Sequence, residues 1–314
     1  MAATAEDRRI RALRPAKAAV DPWHPLGTLV EAERTADGRS ESALTVFLAG
    51  AECPFTCVFC DLWRSTLDGP TPRGAVPAQL QRALAGLAGP PPARLKLYNA
   101  SNFFDPRAVP PEDDAAIAAL AAPFARVVVE CHPRLVGARC AAFAARLAGT
   151  LEVAMGVETV HPVALARLNK RATLDDLARA ADLLAAAGLP WRAFVLVGAP
   201  FVPAAEAVAW AAESVRHAFA LGAERAALIP VRGGNGELER LRDGGEWTPP
   251  TLADLEAALD AALPLPGIVE ADLWDVERLA ACPACAAARI ARLRRINRGG
   301  AAQPRVACAA CGAA

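Results

Sequence analysis

Short apolar runs alternate with amphipathic stretches along most of the chain. Ala43–Gly50 (ALTVFLAG), Ala93–Asn99 (ARLKLYN), Arg126–Glu130 (RVVVE), Leu151–Glu158 (LEVAMGVE), Trp191–Gly198 (WRAFVLVG) and Arg225–Val231 (RAALIPV) read as six strands. Between them, Pro77–Leu87, Glu112–Leu120, Leu135–Ala148, Thr173–Ala187 and Pro203–Leu221 space their apolar residues as helices do. Thr173-Leu-Asp-Asp opens one helix like a capping box, and Gly188 is placed to end it. Strands joined by helical crossovers pair in parallel with right-handed connections. Strands this apolar are covered on both faces. The pattern predicts an α/β fold, either an open sheet or a partial (β/α)6 barrel.

In both architectures chemistry gathers at the C-terminal ends of the strands. A cysteine cluster follows the first strand, and Asn99 and Ser101 follow the second. Glu130, Glu158 and Gly198 end the third, fourth and fifth. Gly233-Gly-Asn-Gly236 after the sixth reads as a flexible loop. Residues 1–42 are polar, Pro-containing and without a clear period, and read as an N-terminal extension. Residues 43–265 form the core domain, and 266–314 a C-terminal module.

Composition allows a sizeable core, since 54% of residues are hydrophobic, although much of that is alanine. The longest uncharged apolar stretch, Ala193–Ala205, contains Gly198, Pro200 and Pro203. It falls short of the ~18–20 residues of a membrane span. The start, MAATAEDRRIRALRPAK, has no apolar signal region. The reading is therefore cytoplasmic, with no membrane partner. Lys+Arg and Asp+Glu both number 34. Seven arginines and no acid lie between Arg278 and Ala314, so the rest of the chain is acidic by the same seven. A basic tail on an acidic body meets an anionic partner or docks on the body itself.

Seven of the nine cysteines fall into two clusters. In a cytosolic chain clustered thiols argue for metal. Cys53-Pro-Phe-Thr-Cys57-Val-Phe-Cys60 offers three thiolates at C-x3-C-x2-C spacing. Three thiolates wrap three irons of a cubane and leave the fourth open. Zinc would want a fourth ligand, and the nearest histidine in sequence is the distant His24. Cys282-Pro-Ala-Cys285 and Cys308-Ala-Ala-Cys311 form two knuckles that suit Zn²⁺ or an auxiliary iron–sulfur cluster. Between them Arg289–Arg298 reads as a short basic helix, suited to phosphate or to docking against the acidic body. Cys131 and Cys140 read as core residues. His132, His161 and His217 lack ligand spacing, and Trp247 and Trp274 read as packing anchors.

The first cysteine motif, with Phe59 before its last cysteine and its place after a first strand, resembles the radical S-adenosylmethionine (SAM) superfamily. The resemblance implies a partial TIM-like barrel carrying a [4Fe–4S] cluster on Cys53, Cys57 and Cys60. It implies SAM on the open iron, reductive cleavage to a 5′-deoxyadenosyl radical, and an electron donor of the flavodoxin or ferredoxin type. Family members often hold the SAM amino group with Gly-Gly-Glu after the second strand; here Tyr98-Asn-Ala-Ser-Asn-Phe-Phe-Asp105 stands there. By this resemblance Phe59, Asn99, Ser101, Glu130, Gly156, Glu158 and Gly198 are the cofactor-binding candidates. Residues 97–110, 127–136, 153–173 and 200–210 further resemble the archaeosine synthase β-subunit branch, with the Elongator catalytic subunit and the tRNA methylthiotransferases. That likeness implies modification of a tRNA base and allows for a partner subunit. The alternative is a small-molecule or peptide substrate, with an auxiliary cluster in the small C-terminal four-cysteine, metal-binding appendage.

Overall fold

The computed structural model describes residues 3–312, so the outermost two residues of the ranges 1–42 and 266–314 lie outside it. In chain order the elements are α1 (Ala5–Ala12), β1 (Gly27–Arg34), β2 (Ser40–Leu48), β3 (Gly50–Ala51), β4 (Thr66–Leu67), α2 (Ala75–Ala85), β5 (Arg94–Asn99), α3 (Asp114–Leu120), β6 (Arg126–Cys131) and α4 (Ala138–Ala144). Then come β7 (Thr150–Glu158), α5 (Pro162–Arg167), α6 (Leu174–Ala186), β8 (Trp191–Val197), α7 (Ala207–Ala220), β9 (Arg225–Pro230), α8 (Glu237–Asp243), α9 (Leu252–Ala262), β10 (Ile268–Ala271) and α10 (Pro283–Gly299).

One sheet runs β1-β2-β5-β6-β7-β8-β9-β10. All its pairs are parallel except β1–β2, an antiparallel hairpin with Gly27 opposite Phe47 and Arg34 opposite Ser40. The six expected strands are the middle six of this sheet. The sheet curls into a partial barrel: Arg192 on β8 donates to Glu33 on β1 at 3.0 Å, although several strands separate them in the sheet. The outward side chains, such as Leu95, Leu97, Val127, Val129, Val153, Met155 and Val195, are sealed under the helices in one core. Thr173 caps α6 as a full capping box, and Gly188 follows it with φ of +65°.

The lumen has a charged floor. Arg94 and Lys96 of β5, Glu152 of β7, Arg192 of β8 and Glu33 of β1 interlock there, all less than a tenth exposed. Burial alone would push the Glu152 carboxyl up. The Arg192 and Arg126 guanidinium groups outweigh it and hold it down at about 2. Glu33 is likewise well below the usual range, against burial, through Arg192 and Lys96. Buried ions are tolerated because each has a partner.

Two regions differ from the expectations. Residues 1–42 contain α1 and β1. The alternation of β1 is hidden because most of its residues are exposed, as on an edge strand. Its buried side chain, Glu33, points into the lumen floor. In the C-terminal segment, β10 pairs with β9, and Ile290, Leu293 and Ile296 of α10 join the main core. Asn297 accepts from the Ala271 N–H at 2.9 Å and donates to its carbonyl at 2.8 Å, covering the sheet edge. Trp247 is buried and donates to the Gly198 carbonyl, as a packing anchor does. Trp274 is not one: it is 64% exposed, beside Phe47. Among the described residues no helix is long and apolar enough to cross a membrane.

Candidate functional site

The first cysteine motif lies in the loop after β2, at the C-terminal end of the first parallel strand. The short pair β3–β4 closes that loop at its base, with Gly50 opposite Thr66. Hydrogen bonds then fix its path. Asn235 donates to the carbonyls of Val58 at 2.8 Å and Cys60 at 3.3 Å. Asn169 donates to the Thr56 carbonyl at 3.0 Å and hydroxyl at 2.7 Å. Asn102 donates to the Cys53 sulfur at 3.2 Å. The Val58 N–H donates to the Leu168 carbonyl at 3.0 Å, and Phe55 stacks on His132 with ring centres 3.8 Å apart. Helix α1 braces the outside: buried Asp7 accepts from Thr56, Asn169 and Arg171. The loop around Asn235, read as flexible, is thus anchored, since a buried amide with three partners holds it.

Burial pushes the thiols of Cys53 and Cys57 up, against the nearby Lys170 ammonium, and that of Cys60 up to about 12. Such thiols ionise when a metal supplies the positive charge. Phe59 packs half-buried on the apolar cluster of Val58, Leu196, Leu238 and Trp247.

The other strand-end candidates converge on this side. Asn99 is 1% exposed, yet neither its amide oxygen nor its nitrogen has a partner. The Ser101 hydroxyl is likewise buried and unpartnered. Buried polar groups left open in this way are free to bond a ligand or an ordered water. Glu158 sits at a register shift between β7 and β8 with φ of +62°, a strained conformation for a side chain of its size. It accepts from the Lys170 ammonium at 2.6 Å. Lys170 is presented by a turn whose flanking Asn169 and Arg171 also have positive φ. A Cβ on Gly156 would sit 2.0 Å from the Glu158 carboxylate and 2.5 Å from Lys170, so that glycine makes room for the pair. Gly198, at φ of +72°, lies under Pro250. Glu130 points into the lumen below, and burial pushes its carboxyl up to about 8.

Sequence reasoning missed Asp7, Asn102, Asn169, Lys170 and Asn235. Asn169-Lys170 stands in a stretch that carried the family resemblance, and Thr4-Ala-Glu-Asp7 has capping-box spacing. Only folding reveals that both face the cysteine loop.

The C-terminal cysteines form a second site. Cys282 and Cys285 flank the start of α10, where Pro283 occupies the first helical position. The sulfurs of Cys282, Cys285, Cys308 and Cys311 all lie within 4.8 Å of one another. Cys285 and Cys311 are 3.8 Å apart. This donor set can hold a metal ion. Sulfurs at ~2.3 Å from one tetrahedral ion lie about 3.8 Å apart. The returning chain is tied to α10 by Arg292, which donates to the carbonyls of Gln303 at 2.8 Å and Pro304 at 3.0 Å. The same side chain, 1% exposed, reaches Asp260 of α9 at 2.6 Å. Arg289 and Arg305 pair with Glu256 and Asp260, and Arg294 with Glu277. The basic helix therefore turns much of its charge onto the acidic body.

No protein-family model matches the sequence, and no curated protein does. Solved structures do match in fold. A radical SAM methyltransferase from Sphaerobacter thermophilus superposes with a TM-score of 0.52 at 16% identity, over 82% of this chain and 80% of that one. The archaeal Elp3 of Methanocaldococcus infernus gives 0.51 at 12% identity, over 80% of this chain and 63% of that one. Methylornithine synthase (PylB) gives 0.51 at 14%, over 72% of this chain and 64% of that one. The chain thus spans under two thirds of the length of the last two. Similar scores against such different proteins select no branch. What they share with this chain is the fold, a curled and mostly parallel sheet flanked by helices.

Proposed function

We propose that this protein is a radical SAM enzyme acting on a small molecule or peptide held in the barrel. The observation that carries it is the C-x3-C-x2-C loop, clamped at the end of the first parallel strand, next to the strand end that carries the unpartnered Asn99 and Ser101. Cys53, Cys57 and Cys60 would hold a [4Fe–4S] cluster. Asn99 and Ser101 suit the amino group of SAM, and Lys170, oriented by Glu158, suits its carboxylate. When bound, the cluster and SAM supply one-electron cleavage of a sulfonium C–S bond and an adenosyl radical. The protein's part is to position SAM, exclude water and present the substrate. A low-potential flavodoxin or ferredoxin would deliver the electron. Seven of the nine cysteines fall into the two metal-binding clusters, which supports a reducing setting.

The C-terminal four cysteines would hold one Zn²⁺. Their mutual closeness supports a single ion, because in a cubane each thiolate binds a different iron and the sulfurs stand further apart. A second reading, with tRNA as substrate, draws support from Arg295 and Arg298, which remain exposed on α10. The pairing of Arg289, Arg292, Arg294 and Arg305 weighs against it.

The test is anaerobic reconstitution with dithionite and SAM, followed by chromatography for 5′-deoxyadenosine. Protein that carries its full iron yet forms none would overturn the proposal. A missing modified nucleoside in tRNA from a deletion strain would restore the second reading.

A further inference from the structure

Below Asn99, Ser101 and Lys170 the barrel interior contains a further level, which Glu130 alone of the cofactor candidates reaches. Between the charged floor and the strand ends, the inward residues Phe47, Tyr98, Glu130, Phe194, Ala227 and Ile229 are each only partly buried. Their outward neighbours Leu97, Val129, Ala193 and Ala226 are fully sealed. Mid-strand residues of a parallel sheet are half-exposed on the inner side only where the lumen is open. Beneath them the floor is closed by its own ion pairs, with Lys96 on Glu33 at 2.9 Å and Arg192 on Glu33 at 3.0 Å.

This open level is aromatic with one acid. Tyr98 and Phe194 meet edge to face, with ring centres 6.1 Å apart. Phe47, on the neighbouring strand and in register with Tyr98, continues this aromatic surface, and Trp274 stands 6.0 Å from it at the rim. The cations nearest on the β5 side, Arg94 and Lys96, are engaged by Glu41, Glu31 and Glu33. Lys170, above, is engaged by Glu158. Glu130 has no cation partner among the described residues, and only the Asn99 backbone opposes its desolvation. A carboxylate inside the barrel with no cationic partner is left for something in the working state to neutralise. Aromatic faces around it favour a cation over an anion.

We propose that, at this level of the lumen, Glu130 receives a protonated amine carried on an apolar body. The inference deepens the radical SAM reading and rests on it. It names the substrate class: an aminated small molecule, or a peptide amine inserted into the lumen. Binding of the ammonium reverses the upward push on the Glu130 carboxyl, so a proton leaves as the ligand arrives.

The experiment uses the full anaerobic protein with its metals, without SAM or reductant, and ligand-observed NMR with benzylamine, benzyl alcohol and phenylacetate as probes. A charge-assisted hydrogen bond predicts benzylamine binding about 10- to 100-fold tighter than benzyl alcohol, with phenylacetate weakest. In Glu130→Gln, which keeps size and polarity, that preference should vanish while binding of benzyl alcohol persists. Equal affinity of the wild type for benzylamine and benzyl alcohol would overturn the inference. So would a preference that survives in the variant. No SAM is present, so the outcome is independent of the 5′-deoxyadenosine assay. Failure there with amine selectivity intact sinks the radical chemistry, and the reverse result sinks only the substrate class.

Discussion

The two cysteine sites are built in opposite ways. The loop of Cys53, Cys57 and Cys60 is shaped by the protein: Asn169, Asn235, a short strand pair and α1 fix its path, and Asn102 holds the Cys53 sulfur. Its sulfurs are not gathered on one point. Among the described residues, the C-terminal four are the one such group whose ligand atoms all lie within 4.8 Å. The tail shows the reverse: its sulfurs are gathered, but few contacts besides Arg292 hold residues 301–312. A preformed loop suits a cofactor that must be placed to a fraction of an ångström. A loose tail gathered on one point suits an ion that does the folding itself.

The sharpest way to break this contrast is to remove one ligand from each site. Cys57→Ala should abolish 5′-deoxyadenosine formation, leave zinc at one per chain and shift the melting temperature little. Elemental analysis and calorimetry check this. A variant that loses zinc along with iron would show that the sites are not independent. Cys285→Ala should do the opposite. It should lose the zinc, free residues 301–312 and cost on the order of 4 kcal/mol of stability, because α10 is part of the core. About four irons and one zinc per wild-type chain support the contrast; near eight irons and no zinc would end it.

The middle six strands were legible because each alternates or runs apolar and ends near a turn signal. The edge strand β1 was not. It is exposed on most of its length, and its buried residue is a glutamate, which no hydrophobic pattern reports. The first cysteine motif was legible as spacing alone. Its clamps were not: Asp7, Asn102, Asn169 and Asn235 are scattered through the chain and meet only in the fold. The arginine-rich helix was legible as basic. Its direction was hidden, because Arg292 is the largest fully buried side chain and its acceptors Glu256 and Asp260 lie on a helix the pattern did not single out.

A third test compares paired with unpaired carboxylates inside the barrel. The folded-state value of Glu130 lies above its ordinary one, so the folded protein binds this proton more tightly than the unfolded chain. Its penalty is absent below about pH 4.5, develops as pH rises, and is complete above about 8. Glu130→Gln should therefore match the wild type at pH 4.5 and be more stable at pH 8.5, by up to about 4 kcal/mol. Glu152, held down at about 2, acts in the other direction: its stabilisation is present above pH 4.5 and is lost toward pH 2. Urea titrations of Glu130→Gln at the two pH values read the first effect. An unchanged difference between them would show that Glu130 is not enclosed.

The smallest expected effect bears most directly on whether the first loop is preformed. Asn235 sits in a buried position, donates to two carbonyls of the cysteine loop and accepts from the Leu238 N–H. Asn235→Ala removes those bonds and leaves buried carbonyls unpaired, at a cost of about 1–2 kcal/mol. It touches no sulfur. If hydrogen bonds shape the loop before iron arrives, the variant should take up iron more slowly and retain less of it. Its zinc content and the tail's resistance to proteolysis should stay unchanged. Asn235→Asp keeps an acceptor for Leu238 but no amide donor when ionised, so it should resemble alanine in iron retention. If the variants load iron as fast and as fully as the wild type, the cluster organises its own loop. The two sites would then differ in the number of metals they hold but not in the way they are built.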